Sequence, residues 1–233
     1  MSKLAVVTGA NRGVGLALVQ QLKTKGYDVV GVCRKTSAEL AQAGAEVIEG
    51  IDLGTDEGVA KAIGALKGRK IDLLVNNAGI LIGDKVGDAD KPAVTSEAMV
   101  KTFRLNTVAP ILLVQGLLDS LPKGSKVVQI TSRVASCADN TSGSAYSYRA
   151  SKAALNIASV SLAVDLKPRE IAVGIVHPGL VVTGMTAAFK VTKDTPNAVT
   201  TDQSASNIIQ RIDALTMDNS GTFWHANGEV LPW

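Results

Sequence analysis

Leu4-Ala5-Val6-Val7-Thr8-Gly9-Ala10-Asn11-Arg12-Gly13-Val14-Gly15 is the stretch from which the rest of the chain is read. Lys3 to Val7 is a short apolar run with the length and β-branching of a strand, and Gly13 to Lys25 has the apolar spacing of a helix. Between them Gly9, Gly13 and Gly15 follow the pattern G-x-x-x-G-x-G. Glycines let backbone amides approach a pyrophosphate closely, and the helix N-terminus favours that anion. The spacing departs from the commoner G-x-G-x-x-G, and a tight, closely packed turn would also explain these glycines. A strand before the turn and a helix after it is the setting that a dinucleotide site requires.

The same alternation continues along the chain. Tyr27 to Cys33, Glu46 to Gly50, Ile71 to Val75, Lys126 to Thr131 and Ile171 to Val176 read as strands. Helical patterns occupy Ser37 to Ala43, Asp56 to Leu66 (with Thr55 or Asp56 as N-cap), Ser96 to Leu121, Tyr146 to Leu166 and Gln203 to Leu215. Thr222 to Trp224 adds an edge strand. The strands are continuous apolar runs, as in sheets covered on both faces. Repeated β-α-β order predicts an α/β fold, a mostly parallel, doubly wound Rossmann-type sheet flanked by helices, with residues 1–233 as a single domain. Residues 82–95 and 184–201 are polar and read as loops, and long loops in a compact domain are often functional.

Composition removes several function classes. Of 233 residues, 46% are hydrophobic, ample for a core, and only 3% are aromatic, too few for the stacking platforms of single-strand nucleic-acid binders. The formal charge of +3 is spread without a basic run, which predicts no nucleic-acid or membrane partner. Cys33 and Cys137 have neither metal-ligand nor disulfide-framework spacing, so no metal is expected and both are read as reduced thiols. The first residues lack the apolar stretch of a signal peptide, and no run of about 18 apolar residues suggests a membrane span. These features together predict a cytoplasmic location.

The end of the second strand selects the nucleotide. NAD sites place Asp or Glu there for the ribose hydroxyls. This chain has Cys33-Arg34-Lys35 instead. A guanidinium pairs bidentately with a phosphate, so Arg34, with Arg12 in the turn, predicts NADP(H). Arg34 and Lys35 would also suit an exposed helix start.

Tyr148 and Lys152, in Tyr-Arg-Ala-Ser-Lys, are four apart and share a helix face. A free tyrosine has a pKa of about 10, and a neighbouring ammonium favours the phenolate, so Lys152 is expected to lower it. Ser132 ends the fifth strand, at the carboxyl edge where open α/β sheets bind ligands. Ser136, Ser142, Ser144 and Ser147 are competing hydroxyls, and a serine at that place also caps turns. Tyr146 has Ala150, not lysine, at i+4 and is expected in the pocket wall. Pro110, inside the long helical pattern, cannot donate to the Asn106 carbonyl. A kink there would free that carbonyl for an ordered water; a proline merely tolerated in an amphipathic helix is the plainer reading. His177, beside Pro178-Gly179, is expected at the pocket edge. Cys137 either faces substrate or packs in its loop.

Together these motifs resemble the short-chain dehydrogenase/reductase family, and within it the C-factor and Sniffer-like carbonyl reductase group. The resemblance rests on Thr8 to Gly15, Asp52-Leu53, Asn76-Asn77-Ala78-Gly79, Asn106, Ser132, Tyr148 with Lys152, and Pro178 to Thr183, covering about residues 4–184. Ala138 to Gly143, Tyr148 to Asn156 and Leu231-Pro232-Trp233 carry the likeness to the narrower group. It implies Tyr148 as proton donor, Lys152 as the group that lowers its pKa and holds the nicotinamide ribose, Ser132 on the carbonyl oxygen, and Asn106 anchoring a water that connects Lys152 to solvent. It implies cofactor contacts from Gly9, Asn11, Arg12, Gly13, Val14 and Gly15, from Arg34, and from Asp52 and Leu53 at the adenine. Asn77, Ala78 and Gly79 would line the cofactor, with Pro178, Gly179, Val181 and Thr183 at its nicotinamide end. Residues 184–201, with Met185 and Phe189, would form a substrate lid. Sixteen residues separate Ser132 from Tyr148, more than is usual in the family, and the extra length falls at Cys137 to Ser144. The implied activity is NADPH-dependent reduction of an aldehyde or ketone by a homodimer or homotetramer. A nucleotide-sensing or signalling protein with little turnover, and an NAD-preferring alcohol dehydrogenase, are the alternatives.

Overall fold

Val30, Val6, Leu74, Val127 and Val173 stand side by side as one rung across five strands, all at most 1% exposed. The next rung, Gly31, Val7, Val75, Val128 and Gly174, faces the opposite side. Apolar residues on consecutive rungs bury both faces, which is why these strands show no alternation in sequence.

The computed structural model describes residues 2–233. Its strands are β1 (Leu4–Thr8), β2 (Asp28–Val32), β3 (Glu46–Ile48), β4 (Leu73–Asn76), β5 (Lys126–Ile130), β6 (Ala172–His177), β7 (Leu180–Val181), β8 (Ala198–Val199) and β9 (Phe223–His225). Seven of them form one parallel sheet in the order β3-β2-β1-β4-β5-β6-β9. The chain runs outward from β1 in one direction, then returns to β4 and runs outward in the other. The switch between β1 and β4 opens a crevice at the carboxyl ends of the strands. The helices are α1 (Gly13–Thr24), α2 (Ala38–Gln42), α3 (Asp56–Leu66), α4 (Ser96–Phe103), α5 (Ala109–Gly116), α6 (Tyr146–Asp165) and α7 (Thr201–Ala214). One face of the sheet packs on α1 and α7 through Leu18, Leu22, Ile208 and Ile212. The other packs on α3, α5 and α6 through Val59, Leu66, Leu113 and Ala163.

The core row explains two glycines. A Cβ on Gly31 would lie 3.0 Å from the Ala10 Cβ and 3.3 Å from Leu40, and one on Gly174 would lie 3.1 Å from Leu215. Neighbouring segments therefore close tightly on the sheet at both points.

Three expectations change. Ser96 to Leu121 is not one helix: α4 and α5 are separated by a π-helical turn at Arg104–Val108, and a 3₁₀ turn follows at Leu118–Ser120. The Ala109 N–H donates to the Arg104 carbonyl, five residues back, so the register slips immediately before Pro110, which has no N–H to give. Residues 184–201 are not wholly irregular. They hold a 3₁₀ turn at Ala187–Phe189 and β8, which pairs with β7 in a separate two-stranded sheet. The edge strand falls at Phe223–His225, where it pairs in parallel with β6.

Four helices carry their own N-cap. Ser37 accepts from the Leu40 amide at 3.1 Å, Thr55 from Gly58 at 3.0 Å, Thr95 from Ala98 at 3.1 Å and Thr200 from Gln203 at 3.1 Å. Neither α1 nor α6 has a capping side chain at its N-cap residue, and both begin beside the crevice. No helix among the described residues is long and apolar enough to cross a membrane.

Candidate active site

The turn after β1 is held from across the switch point. Gly9 and Gly13 have φ of +66° and +59°, where a side chain is strained. A Cβ on Gly15 would lie 2.2 Å from the Gly9 carbonyl oxygen and 2.5 Å from the Asn77 Nδ2. Asn77 Nδ2 donates to the Thr8 and Gly9 carbonyls at 3.0 and 3.3 Å. The Thr8 hydroxyl accepts from the Asn77 and Ala78 amides, each at 3.0 Å. The first glycine motif and the Asn-Ala-Gly motif after β4 are therefore one hydrogen-bonded unit. Thr8 is the hinge of that unit, though its sequence position gives it only as part of a motif.

This unit floors a cleft of about 1450 Å³. Gly9, Asn11, Arg12, Gly13, Val14 and Gly15 form one wall. Arg34, Asp52 and Leu53 close the end beyond β2, and Asn77, Ala78 and Gly79 lie along the floor. Ser132, Tyr148 and Lys152 sit at the other end, facing Pro178, Gly179, Val181 and Thr183. Pockets for drug-sized ligands span about 300–1,000 Å³, so the cleft has room for a dinucleotide and a second molecule.

The residues present fit a phosphorylated dinucleotide. Arg12 and Arg34 are exposed, and neither makes an ion pair with a carboxylate among the described residues. The first turn of α1 contains no acidic residue, so its amides and the two guanidiniums present only positive charge. Asp52 is exposed and accepts from the Gly54 amide at 3.0 Å, leaving carboxylate acceptor capacity toward the cleft. Among the described residues no group of three His, Cys, Asp or Glu could hold a metal ion.

At the far end Tyr148 and Lys152 share the buried face of α6, at 8% and 4% exposure. The Lys152 Nζ donates to the Ile130 carbonyl at 2.7 Å. Burial pushes the Tyr148 phenol up to about 12, with Ser132 pulling the other way, and pushes the Lys152 ammonium down to about 7. Lys152 is not among the causes of the Tyr148 shift; burial alone sets its net direction upward. Desolvation disfavours the charged form of each group. Burial thus favours the protonated phenol and the neutral amine.

Asn106 is fully buried but lies behind the cleft wall. Its Oδ1 accepts from the Ile80 amide at 2.9 Å, and its Nδ2 donates to the Ile80 carbonyl at 2.9 Å and the Ser151 hydroxyl at 3.0 Å. A Cβ on Gly79 would be 3.1 Å from Asn106 Oδ1 and 3.7 Å from Lys152 Nζ, so Asn106 fixes the segment lying against the lysine.

Other positions sort as follows. Tyr146 is 46% exposed and does not line the cleft, a correction to its expected place in the wall. As the first residue of α6 it begins a turn whose buried side is taken by Ser147 and Tyr148. His177 does line the cleft. It packs edge-on against His225 with ring centroids 4.9 Å apart, and burial, His225 and Arg133 push it down to about 3. Cys137 is exposed and outside the cleft wall, whereas Ala138, Asp139 and Thr141 to Ser144 line it. Arg149 braces that loop, donating to the Gly143, Ser144 and Val134 carbonyls and the Ser142 hydroxyl at 2.8–3.1 Å. Met185 and Phe189 reach the cleft from residues 184–201.

A doubly wound sheet with a glycine turn at its switch point and a buried tyrosine–lysine pair beside it defines a nucleotide-dependent oxidoreductase architecture. The profile of the short chain dehydrogenase family matches residues 3–194, and the chain belongs to that family. It is 36% identical over 233 aligned residues to the 1-hydroxy-2-glutathionyl-2-methyl-3-butene dehydrogenase of Rhodococcus sp. (strain AD45), covering 98% of each chain. Among solved structures it is similar to the NADPH-bound carbonyl reductase from chicken fatty liver, with TM-score 0.84 and 28% identity over 100% of this chain and 99% of that one. It is also similar to the carbonyl reductase Sniffer of D. melanogaster, with TM-score 0.79 and 32% identity over the whole of both chains.

Proposed function

We propose that the chain, acting as one domain, reduces an aldehyde or ketone with NADPH, using Tyr148, Lys152 and Ser132. The observation that carries this is the pairing of two ends of one cleft: Arg12 and Arg34, without a carboxylate partner among the described residues, at one, and a buried hydroxyl–phenol–lysine set at the other. Arg34, with Arg12, holds the 2′-phosphate, the α1 amides hold the pyrophosphate, and Asp52 and Leu53 flank the adenine. Asn77, Ala78 and Gly79 line the cofactor, and Val181 and Thr183 hold its carboxamide end beside Pro178 and Gly179. When bound, the reduced nicotinamide supplies a hydride to the carbonyl carbon.

The protein's own groups handle the oxygen and the proton. The Ser132 hydroxyl donates to the carbonyl oxygen and polarises it. Tyr148, protonated at neutral pH, gives its proton to that oxygen, which leaves an alcohol and a phenolate. Lys152 stabilises the phenolate and returns a proton to it, a task suited to a group poised near 7. Asn106, through the main-chain carbonyl that Pro110 cannot serve, holds the water that resupplies Lys152.

NADPH oxidation against a panel of aldehydes, ketones, quinones and glutathionyl carbonyl compounds tests this reading. Tyr148→Phe should cut kcat by about 1,000-fold with NADPH affinity little changed, and equal turnover by wild type and variant would refute the assignment. Arg34→Asp should weaken NADPH use and improve NADH use. Unaltered preference would mean that Arg34 does not read the phosphate. We further propose a homodimer or homotetramer joined through α4 and α6, whose Val100, Ile157 and Val164 are 58–67% exposed. Light scattering during gel filtration would show a monomer if that is wrong.

A further inference from the structure

Asp84 lies in the 82–95 loop and is completely buried. No lysine or arginine forms an ion pair with it among the described residues. A buried carboxylate is costly unless hydrogen bonds replace its water, and all of its replacements come from one place. The Ser147 amide donates to its two oxygens at 3.2 and 3.3 Å, and the Ser147 hydroxyl donates to Oδ2. The Asp84 carbonyl accepts from the Ala145 amide at 2.6 Å and the Ser144 hydroxyl at 3.3 Å.

Those donors form the entry to α6. Ser144 and Ala145 both have positive φ, 62° and 50°, a conformation non-glycine residues adopt only when held. Ala145 offers no capping side chain. Asp84, from 63 residues away, therefore supplies both the missing cap and the anion that a helix N-terminus favours. The next residue after Ser147 is Tyr148. On the other side of Asp84, a Cβ on Gly83 would lie 2.9 Å from the Phe189 Cζ, so the aromatic ring of the 184–201 segment rests on the backbone at Gly83.

We propose that Asp84 is a positioning residue for Tyr148, and that Gly83-Asp84 joins the Phe189 segment to the helix carrying the proton donor. The proposal rests on the reading of Tyr148 as that donor. It predicts that the carboxylate governs the chemical step and Gly83 governs substrate entry.

The test compares Asp84→Ala, Asp84→Asn and Gly83→Ala in the full chain. A displacement of about 1 Å at a reacting group can cost 100-fold. Asp84→Ala should accordingly lower kcat by about 10- to 100-fold while the NADPH Kd, read by NADPH fluorescence, stays within about twofold. Asp84→Asn keeps an oxygen for the Ser147 amide and should recover most of kcat. Gly83→Ala should raise the carbonyl KM with little change in kcat. An unchanged kcat in Asp84→Ala would overturn the proposal, as would an equal fall in NADPH affinity that Asn does not rescue. If Asp84→Ala fails to fold, Ser147→Ala removes one contact of the same clamp, and an unchanged kcat there overturns the proposal equally. If the wild type turns over no carbonyl, the reductase reading fails by itself, and amide hydrogen exchange decides the rest. Exchange at residues 145–150 should accelerate about tenfold in Asp84→Ala or Ser147→Ala with other helices unchanged, and unaltered exchange would overturn the clamp.

Discussion

Helices α1 and α6 both start at the cleft without a cap of their own, whereas α2, α3, α4 and α7 start with Ser37, Thr55, Thr95 and Thr200. The first turn of α1 contains no acid, and Arg12 stands at its N-cap. The first turn of α6 is met by a buried carboxylate from a distant loop. The proposed function gives that difference a reason. An end that is to receive an anion from solution keeps its amides free and surrounds them with cations. An end that must hold one phenol in one place is sealed by an internal anion.

The comparison can be broken at either end. The largest effect is expected from Gly15→Ala. Its Cβ would collide with the Gly9 carbonyl oxygen at 2.2 Å, so backbone must shift, and thermal denaturation should show a loss of about 3 kcal/mol together with lost NADPH binding. Stability unchanged by this methyl group would mean that the turn is loose.

At the α6 end the expected change is a gain. Lys152 falls from an ordinary 10.5 to about 7 through burial. Between those values the unfolded lysine binds a proton that the folded one does not, so stability declines as pH drops from about 10.5 to about 7 and then levels. Lys152→Met should remove that slope and stabilise the protein near pH 7 by a few kcal/mol while abolishing turnover. Denaturant melts across the range, showing the same slope in both proteins, would contradict the burial argument.

Salt separates the two ends. Arg12 and Arg34 are exposed, and raising ionic strength from about 0.05 to about 0.5 M shortens the screening length severalfold. The NADPH Kd should weaken by about tenfold, while amide exchange at Ser147, whose partner is buried, should not respond. An ordinary cap gives the smallest effect and the reference for both: Thr55→Ala should cost about 1 kcal/mol without altering NADPH affinity.

Sequence reading reached the α1 end and only half of the α6 end. Gly9, Gly13 and Gly15 are legible because a backbone conformation or a close approach excludes every side chain, and the strands because both faces are buried. Tyr148 and Lys152 are legible because four-residue spacing on a helix is local. The direction of their pKa shifts is not, since it depends on how completely β5 and the cleft bury them. Pro110 marks where the helix breaks, but the π register is a choice among local hydrogen bonds that one proline leaves open. The β7–β8 pair is two residues per strand, too short for any periodicity. Tyr146 looks equivalent to Tyr148 in composition and differs only in the side of the helix it takes. Asp84 lies in a polar stretch with several other acids, and its contact spans 63 residues, so nothing adjacent in sequence distinguishes it.

The burial that pushes the Lys152 ammonium down also makes the cleft a proton acceptor. Phosphates entering beside the cationic turn bring negative charge into the same enclosed space, and a nearby anion raises an amine's pKa. Loading the protein with an anionic nucleotide near pH 8 should therefore draw protons from the buffer, with affinity rising as the medium acidifies toward 7. Titration heats would then differ between buffers of unlike ionisation enthalpy. Nucleotide occupancy of this chain would follow acidity before any carbonyl is present.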